Sequence, residues 1–354
     1  MNAYIYILIL AILNCFLPIK RQKTTSSILL FIMMLMCGFR AYDVGTDTVN
    51  YVAYQEASFI SDYTWGPLYI VLKLIASLFP YEGTVFLMLM ALLTYCPLIY
   101  LSRKYSVFPG LSVLMYIIPC GIFFNESFNI ARQSIGIVYI LLAAVALQNK
   151  KRELSYGLTL LAFFFHPFVI FFVFIFFLMK RPFTKKFVRC LLLITMILGL
   201  CGTLTGIDSI LNSMAAIFAG SSSDLLLKFT KYGNGYDIQS GFSLVGQLSH
   251  MLPMVALCWI GSNKRTKNNI YFKMMVCGSA ITNLLVSVIF CERFASTFTL
   301  AQFLAVPLIY KTSSKINKII LKIILLATGM LYVYNLYQSS KDVDLWTPYH
   351  TIFN

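Results

Sequence analysis

Residues 84–104 read TVFLMLMALLTYCPLIYLSRK: the uncharged stretch 84–101 is followed at once by Arg103 and Lys104. A helix crossing the hydrocarbon core of a bilayer takes roughly 20 mostly apolar residues. A pair of cations closing such a stretch marks its cytoplasmic end. The pattern recurs along the chain. Apolar runs occupy residues 3–18, 26–39, 66–80, 84–101, 107–124, 130–148, 154–165, 167–179, 187–206, 242–261, 270–290, 293–310 and 317–336. With 59% hydrophobic and 12% charged residues in 354, and a mean hydropathy of +0.79, soluble globular, disordered and fibrous classes are excluded. The expected fold is all-α: one polytopic integral membrane domain spanning residues 1–354.

The charges set the expected path. The run at 66–80 is short, begins at Gly66-Pro67 and carries Lys73, so it is read as a re-entrant or interfacial helix. Twelve transmembrane helices remain, and both termini fall in the periplasm. Cytoplasmic segments then hold Lys20 to Lys23, Arg103-Lys104, Lys150 to Arg152, Lys180 to Arg189, Lys264 to Lys273 and Lys311 to Lys322, about 21 of the 28 basic residues. Letting 66–80 cross would invert every later span and place most basic loops outside. Two periplasmic loops stand out, residues 40–83 and 207–241. The helix of Tyr4 to Leu17 lacks a basic n-region and a small-residue cleavage site, so it is expected to be retained as the first span.

The net charge of +15 belongs to these topology signals, so nucleic acid is not an expected partner. Nine cysteines lie mostly inside apolar stretches, without metal-ligand spacing, and read as packing residues. There is no phosphate-binding glycine loop, no dinucleotide fingerprint and no H-E-x-x-H. No metal or cofactor is expected.

Ionisable residues near helix ends converge on the outer face: Arg40 closes the second span, Arg132 opens the fifth, His166 lies between the sixth and seventh, and Glu292-Arg293 between the tenth and eleventh. Three guanidinium groups at one level suit a pyrophosphate or similar polyanion, because the planar fork binds phosphoryl oxygens bidentately. Taken singly, each arginine is equally explained by snorkelling to outer headgroups. His166 precedes Pro167, so it either marks a turn or offers a functional imidazole. Glu292 is either a catalytic carboxylate or the local partner of an arginine. Asp43 and Asp47 flank Val44-Gly45-Thr46, where glycine permits a tight turn; they either cap that turn or address a sugar hydroxyl. The outer aromatic residues Tyr42, Tyr51, Tyr54, Trp65 and Tyr349 fit an interfacial belt or a sugar-stacking surface.

Arg40 followed by Val44-Gly45-Thr46-Asp47 and Tyr51, then Ala131-Arg132-Gln133-Ser134 opening a helix, then Ala162-Phe-Phe-Phe-His166, resembles the EpsG family of bacterial polysaccharide-synthesis membrane proteins, themselves similar to Wzy-type O-antigen polymerases. Glu292-Arg293-Phe294 is similar to a late family signature. In the family the helix after the G-T-D loop often begins with an acidic residue, which Trp65-Gly66-Pro67-Leu68-Tyr69 lacks. The resemblance implies a periplasm-facing glycosyltransferase in the bacterial inner membrane that moves a growing glycan from undecaprenyl diphosphate onto the next lipid-linked repeat unit, as in lipopolysaccharide synthesis. On that reading Arg40, Arg132 and Arg293 hold diphosphate, His166, Asp47 and Glu292 are catalytic candidates, and Gly45, Thr46, Tyr51 and Gln133 meet glycan. The implied partners are an undecaprenyl-diphosphate-linked oligosaccharide, membrane lipid and, as a further candidate, a polysaccharide chain-length regulator. The rivals are a lipid-oligosaccharide flippase, disfavoured because neither internal repeats nor interrupted helices are evident, and a membrane acyltransferase acting on surface glycan.

Overall fold

A computed structural model of the chain describes residues 2–45, 47–56, 67–118, 122–166, 181–205, 244–284, 291–339 and 349–353. Within them the chain is helical, without strands: α1 Asn2–Cys15, α2 Ile19–Gly38, α3 Thr48–Glu56, α4 Pro67–Ala76, α5 Glu82–Tyr105, α6 Pro109–Ile117, α7 Ile122–Asn129, α8 Ala131–Gln148, α9 Arg152–Phe165, α10 Lys185–Thr205, α11 Leu244–Gly261, α12 Ile270–Leu284, α13 Cys291–Thr299, α14 Gln302–Thr312 and α15 Lys315–Ser339. By length and composition, three stretches among the described residues are apolar enough to cross a membrane: Glu82–Tyr105, Ala131–Gln148 and Lys315–Tyr334. Helix α4 has ten residues, about 15 Å of rise against a hydrocarbon core of about 30 Å.

Two runs read from sequence as single spans are interrupted. Residues 107–124 divide between α6, nine residues long, and α7, eight residues long. Helix α6 stops at Ile118, extended at φ −121°, ψ 166°, and the next residue in the sequence is Pro119, whose ring disfavours helical backbone in the residue before it. Residues 293–310 likewise divide into α13 and α14, with Leu300 and Ala301 forming the turn between them. Interrupted helices are therefore present after all.

Prolines explain how the halves are joined. A proline has no N–H and leaves the carbonyl four residues back without its helical donor. Pro307 does this to Phe303, and the Phe303 carbonyl accepts instead from Ser112 Oγ of α6 at 2.5 Å. Pro119 does it to Met115, and the Met115 carbonyl accepts from Gln302 Nε2 of α14 at 2.9 Å. Each broken helix supplies the donor that the other lacks, in a core of buried side chains where an unsatisfied carbonyl would cost a lost hydrogen bond.

The basic loops meet at one end of the bundle. Gly110 N donates to Gln22 Oε1 at 3.1 Å, Ile270 N to Gln148 Oε1 at 2.8 Å, Phe183 N to Lys267 O at 2.9 Å, and Asn263 Nδ2 to Thr312 Oγ1 at 3.4 Å. Antiparallel α8 and α9, joined by residues 149–151, run from this end to the opposite one, where Arg132 and His166 lie. There the C-terminal strip adds a bridge between Thr351 and Arg40. It is secured by Tyr349 Oη donating to Met36 O at 3.0 Å and by His350 lying 2.8 Å from an Asp43 carboxylate oxygen.

Candidate functional site

The turn after α2 is built around a buried guanidinium. Arg40, 1% exposed, donates from Nε to Thr48 Oγ1 at 2.9 Å, from Nη1 to Cys37 O at 2.5 Å and from Nη2 to Phe128 O at 3.1 Å. Its Cζ lies 5.5 Å from the centre of the Phe128 ring. Cys37, Tyr95 and Ser127 form a buried polar knot beside it, with Tyr95 Oη 2.9 Å from Ser127 Oγ. Arg40 is thus a clamp joining α2, the turn and the end of α7. As placed, its nitrogens face protein acceptors.

Gly45 makes the turn possible. Its φ is +95°, a left-handed value that side chains disfavour, and a Cβ there would sit 2.9 Å from Thr48 Oγ1 and 3.0 Å from Phe128 O. Thr48 Oγ1 donates to Val44 O at 2.6 Å, closing the loop into the first turn of α3. Asp47 is half-buried just before α3, and Thr46 lies outside the described residues.

Helix α3 presents Tyr51 to the start of α8. Tyr51 is 2% exposed and its Oη donates to Asn129 O at 3.1 Å. Burial pushes its phenol up to about 12, with the Asp47 charge adding to the rise and Arg132 and Arg40 opposing it. Three charged groups named from sequence therefore act on one phenol.

Arg132 occupies the first turn of α8 and is half-buried. Its Cζ lies 5.9 Å from the centre of the Tyr69 ring, and Tyr69 Oη donates to the Arg132 carbonyl at 3.4 Å. Tyr69 belongs to α4 and meets Phe165 edge-on at 5.9 Å. The next residue, His166, ends α9 in extended conformation, with its N–H on Ala162 O at 3.0 Å. Gln133 is buried and donates from Nε2 to Ser296 Oγ of α13 at 3.1 Å.

The start of α8 is thus the point where the loop after α2, α3, α4, the end of α9 and α13 meet. Asp47, Tyr51, Arg132, Gln133 and, through Phe165, His166 belong to that junction. Glu292 and Arg293 lie on the first turn of α13, with side chains outside the described residues, as are those of Asn125 and Glu126. Among the described residues, no group of three His, Cys, Asp or Glu side chains is placed to hold a metal ion.

Sequence reasoning missed three contributors. Tyr69 supplies the ring under Arg132, and its place two residues after Pro67 in the aromatic start of α4 was the available signal. Lys73, 5% exposed, donates from Nζ to Tyr54 O at 2.6 Å and fastens α4 to α3. The Cys37–Tyr95–Ser127 knot joins residues up to 90 positions apart, and no local motif announces it.

The arrangement offers a cation on an aromatic platform, a neighbouring carboxylate and imidazole, and buried amide and phenol groups, a set suited to an anionic leaving group beside a hydroxyl nucleophile. No curated protein and no solved structure matches the chain. The EpsG family model matches residues 23–351. Nearly the whole chain is covered, and the protein accordingly belongs to the EpsG family, a family of membrane glycosyltransferase-like polymerases similar to Wzy.

Proposed function

We propose that the protein is a polysaccharide polymerase of the bacterial inner membrane, twelve-spanning with periplasmic termini. It transfers a growing glycan from undecaprenyl diphosphate to the next lipid-linked repeat unit, in the manner of an O-antigen polymerase. The observation that carries this reading is Arg132, held over Tyr69 where five segments named above converge. As the bond between the sugar's anomeric carbon and the diphosphate oxygen breaks, negative charge grows on the leaving group. A guanidinium already in place stabilises that charge without reorganisation.

In the transfer, the acceptor hydroxyl forms the new bond to the anomeric carbon and undecaprenyl diphosphate departs. The acceptor proton goes to Asp47 or His166; Glu292, on the first turn of α13, is the third candidate and the second carboxylate among them. Arg293 joins Arg132 on the diphosphates. Arg40 serves as a positioning residue that holds the Gly45–Asp47 turn. Gly45, Thr46, Tyr51 and Gln133 border the glycan. The partners on this reading are the lipid-linked oligosaccharide, the surrounding lipid and a chain-length regulator.

The two interrupted helices favour one other reading, a flippase for the lipid-linked oligosaccharide, since transporters place broken helices at their substrate sites. Here the side chains that bridge the breaks, Ser112 and Gln302, are neutral. Deletion of the gene, complemented by wild type or by Arg132→Ala, separates the readings on a gel of surface polysaccharide. Collapse of the ladder to core bearing one repeat, rescued by wild type alone, supports the polymerase and places Arg132 in its chemistry. Loss of the single-repeat band indicates a flippase, and a full ladder indicates modification such as acylation.

A further inference from the structure

We propose that the end of the bundle carrying the basic loops holds a binding site for an anionic membrane phospholipid, in the cavity between α10, α11 and α15. The cavity has a volume of about 550 Å³, within the range of ligand pockets, and lies at the opposite end of the bundle from Arg132. Its mouth is polar, formed by Lys185, Arg189, Asn263 and Asn317, and its walls include Leu252 and Ile320; no carboxylate among the described residues lines it.

Arg189 is the anchor. Its Cζ lies 4.5 Å from the centre of the Trp259 ring, so the guanidinium sits over an indole face. A cation–π contact uses none of the guanidinium's N–H groups as hydrogen-bond donors and so leaves them to an acceptor. Its Nε is buried and has no hydrogen-bond partner among the described residues, an arrangement that carries a desolvation cost until an acceptor arrives. A phosphodiester in the cavity supplies the opposite charge for both Arg189 and Lys185, and acceptor oxygens for their N–H groups.

The walls choose between a free anion and a lipid. Leu252 is 48% exposed and Ile320 41% exposed, an open apolar face that inorganic phosphate would leave bare and an acyl chain would cover. Cations at the mouth and aliphatic walls leading away from them match a phospholipid in the leaflet that contacts the basic loops. On the positive-inside reading this is the cytoplasmic leaflet, where anionic headgroups attract basic residues.

The test uses the full chain in nanodiscs of phosphatidylglycerol or phosphatidylcholine, with lipid retention read by native mass spectrometry. Wild type should retain phosphatidylglycerol preferentially, and Lys185→Gln and Arg189→Gln should each reduce that retention about five-fold. Equal retention of the two lipids, or unchanged retention in both variants, overturns the proposal. Displacement of the lipid by millimolar inorganic phosphate overturns the lipid assignment in favour of a soluble phosphate. A second measurement avoids pocket variants: with Trp65→Phe and Trp346→Phe leaving Trp259 as the sole indole, brominated phosphatidylglycerol should quench its fluorescence more than brominated phosphatidylcholine. Equal quenching overturns the proposal.

Discussion

Replacing Arg40 by methionine separates a clamp from a ligand-binding guanidinium. Methionine replaces the stem as far as Nε but removes the guanidinium, and with it three hydrogen bonds, to Thr48 Oγ1, Cys37 O and Phe128 O. Each hydrogen bond from a charged donor contributes about 1.5–3 kcal/mol. Part of that sum is offset because a guanidinium no longer has to be desolvated at a site 1% exposed. A net loss of about 3–5 kcal/mol in the docking of the turn follows, at least about 100-fold in its opening equilibrium. Hydrogen exchange read by mass spectrometry should show this as lost protection at Val44, Thr48 and Tyr51, whose N–H groups bond to Ala41 O, Gly45 O and Asp47 O. Ser134, bonded to Ile130 O inside α8, should keep its rate. Unchanged exchange across residues 41–51, together with abolished chain extension, would refute the clamp and return Arg40 to the diphosphate.

Tyr69→Leu removes the ring under Arg132 and should slow chain extension about 3–30-fold, while Tyr69→Phe keeps most of the rate; equal losses in the two variants, read from polymer length on a gel, would show that the hydroxyl matters more than the ring. Burial pushes the Tyr51 phenol from its ordinary 10 up to about 12, so its contribution is fully present below pH 10 and is lost as pH rises from 10 towards 12. The wild-type melting temperature should therefore fall more steeply over that window than that of Tyr51→Phe, and parallel profiles would contradict the burial of the phenol. Ser112→Ala and Gln302→Ala each strand a proline-orphaned carbonyl and should cost about 1–3 kcal/mol, seen as a lower melting temperature in detergent; the double variant tests whether the two losses couple across the α6–α14 contact.

Composition and charge already determined the class of the protein. A run of apolar residues long enough for a bilayer has no soluble alternative, and each basic loop declares its side locally, so the helices and the shared end of the cationic segments were legible along the chain. Gly45 and the opening of α8 at Arg132 were legible for the same reason, being short-range backbone chemistry. Tertiary structure decided the rest. Hydropathy passes smoothly through the breaks after α6 and α13, and the carbonyls orphaned by Pro119 and by Pro307, which lies inside α14, are satisfied only by donors from elsewhere, here from residues 187 and 191 positions away. The same holds for Arg40: from sequence an arginine at a helix end is a candidate anion ligand, and only folding shows which acceptors surround it. Tyr69 entered the site because α4 brings it beneath Arg132, 63 positions later in the chain, a contact that neither residue's local context encodes.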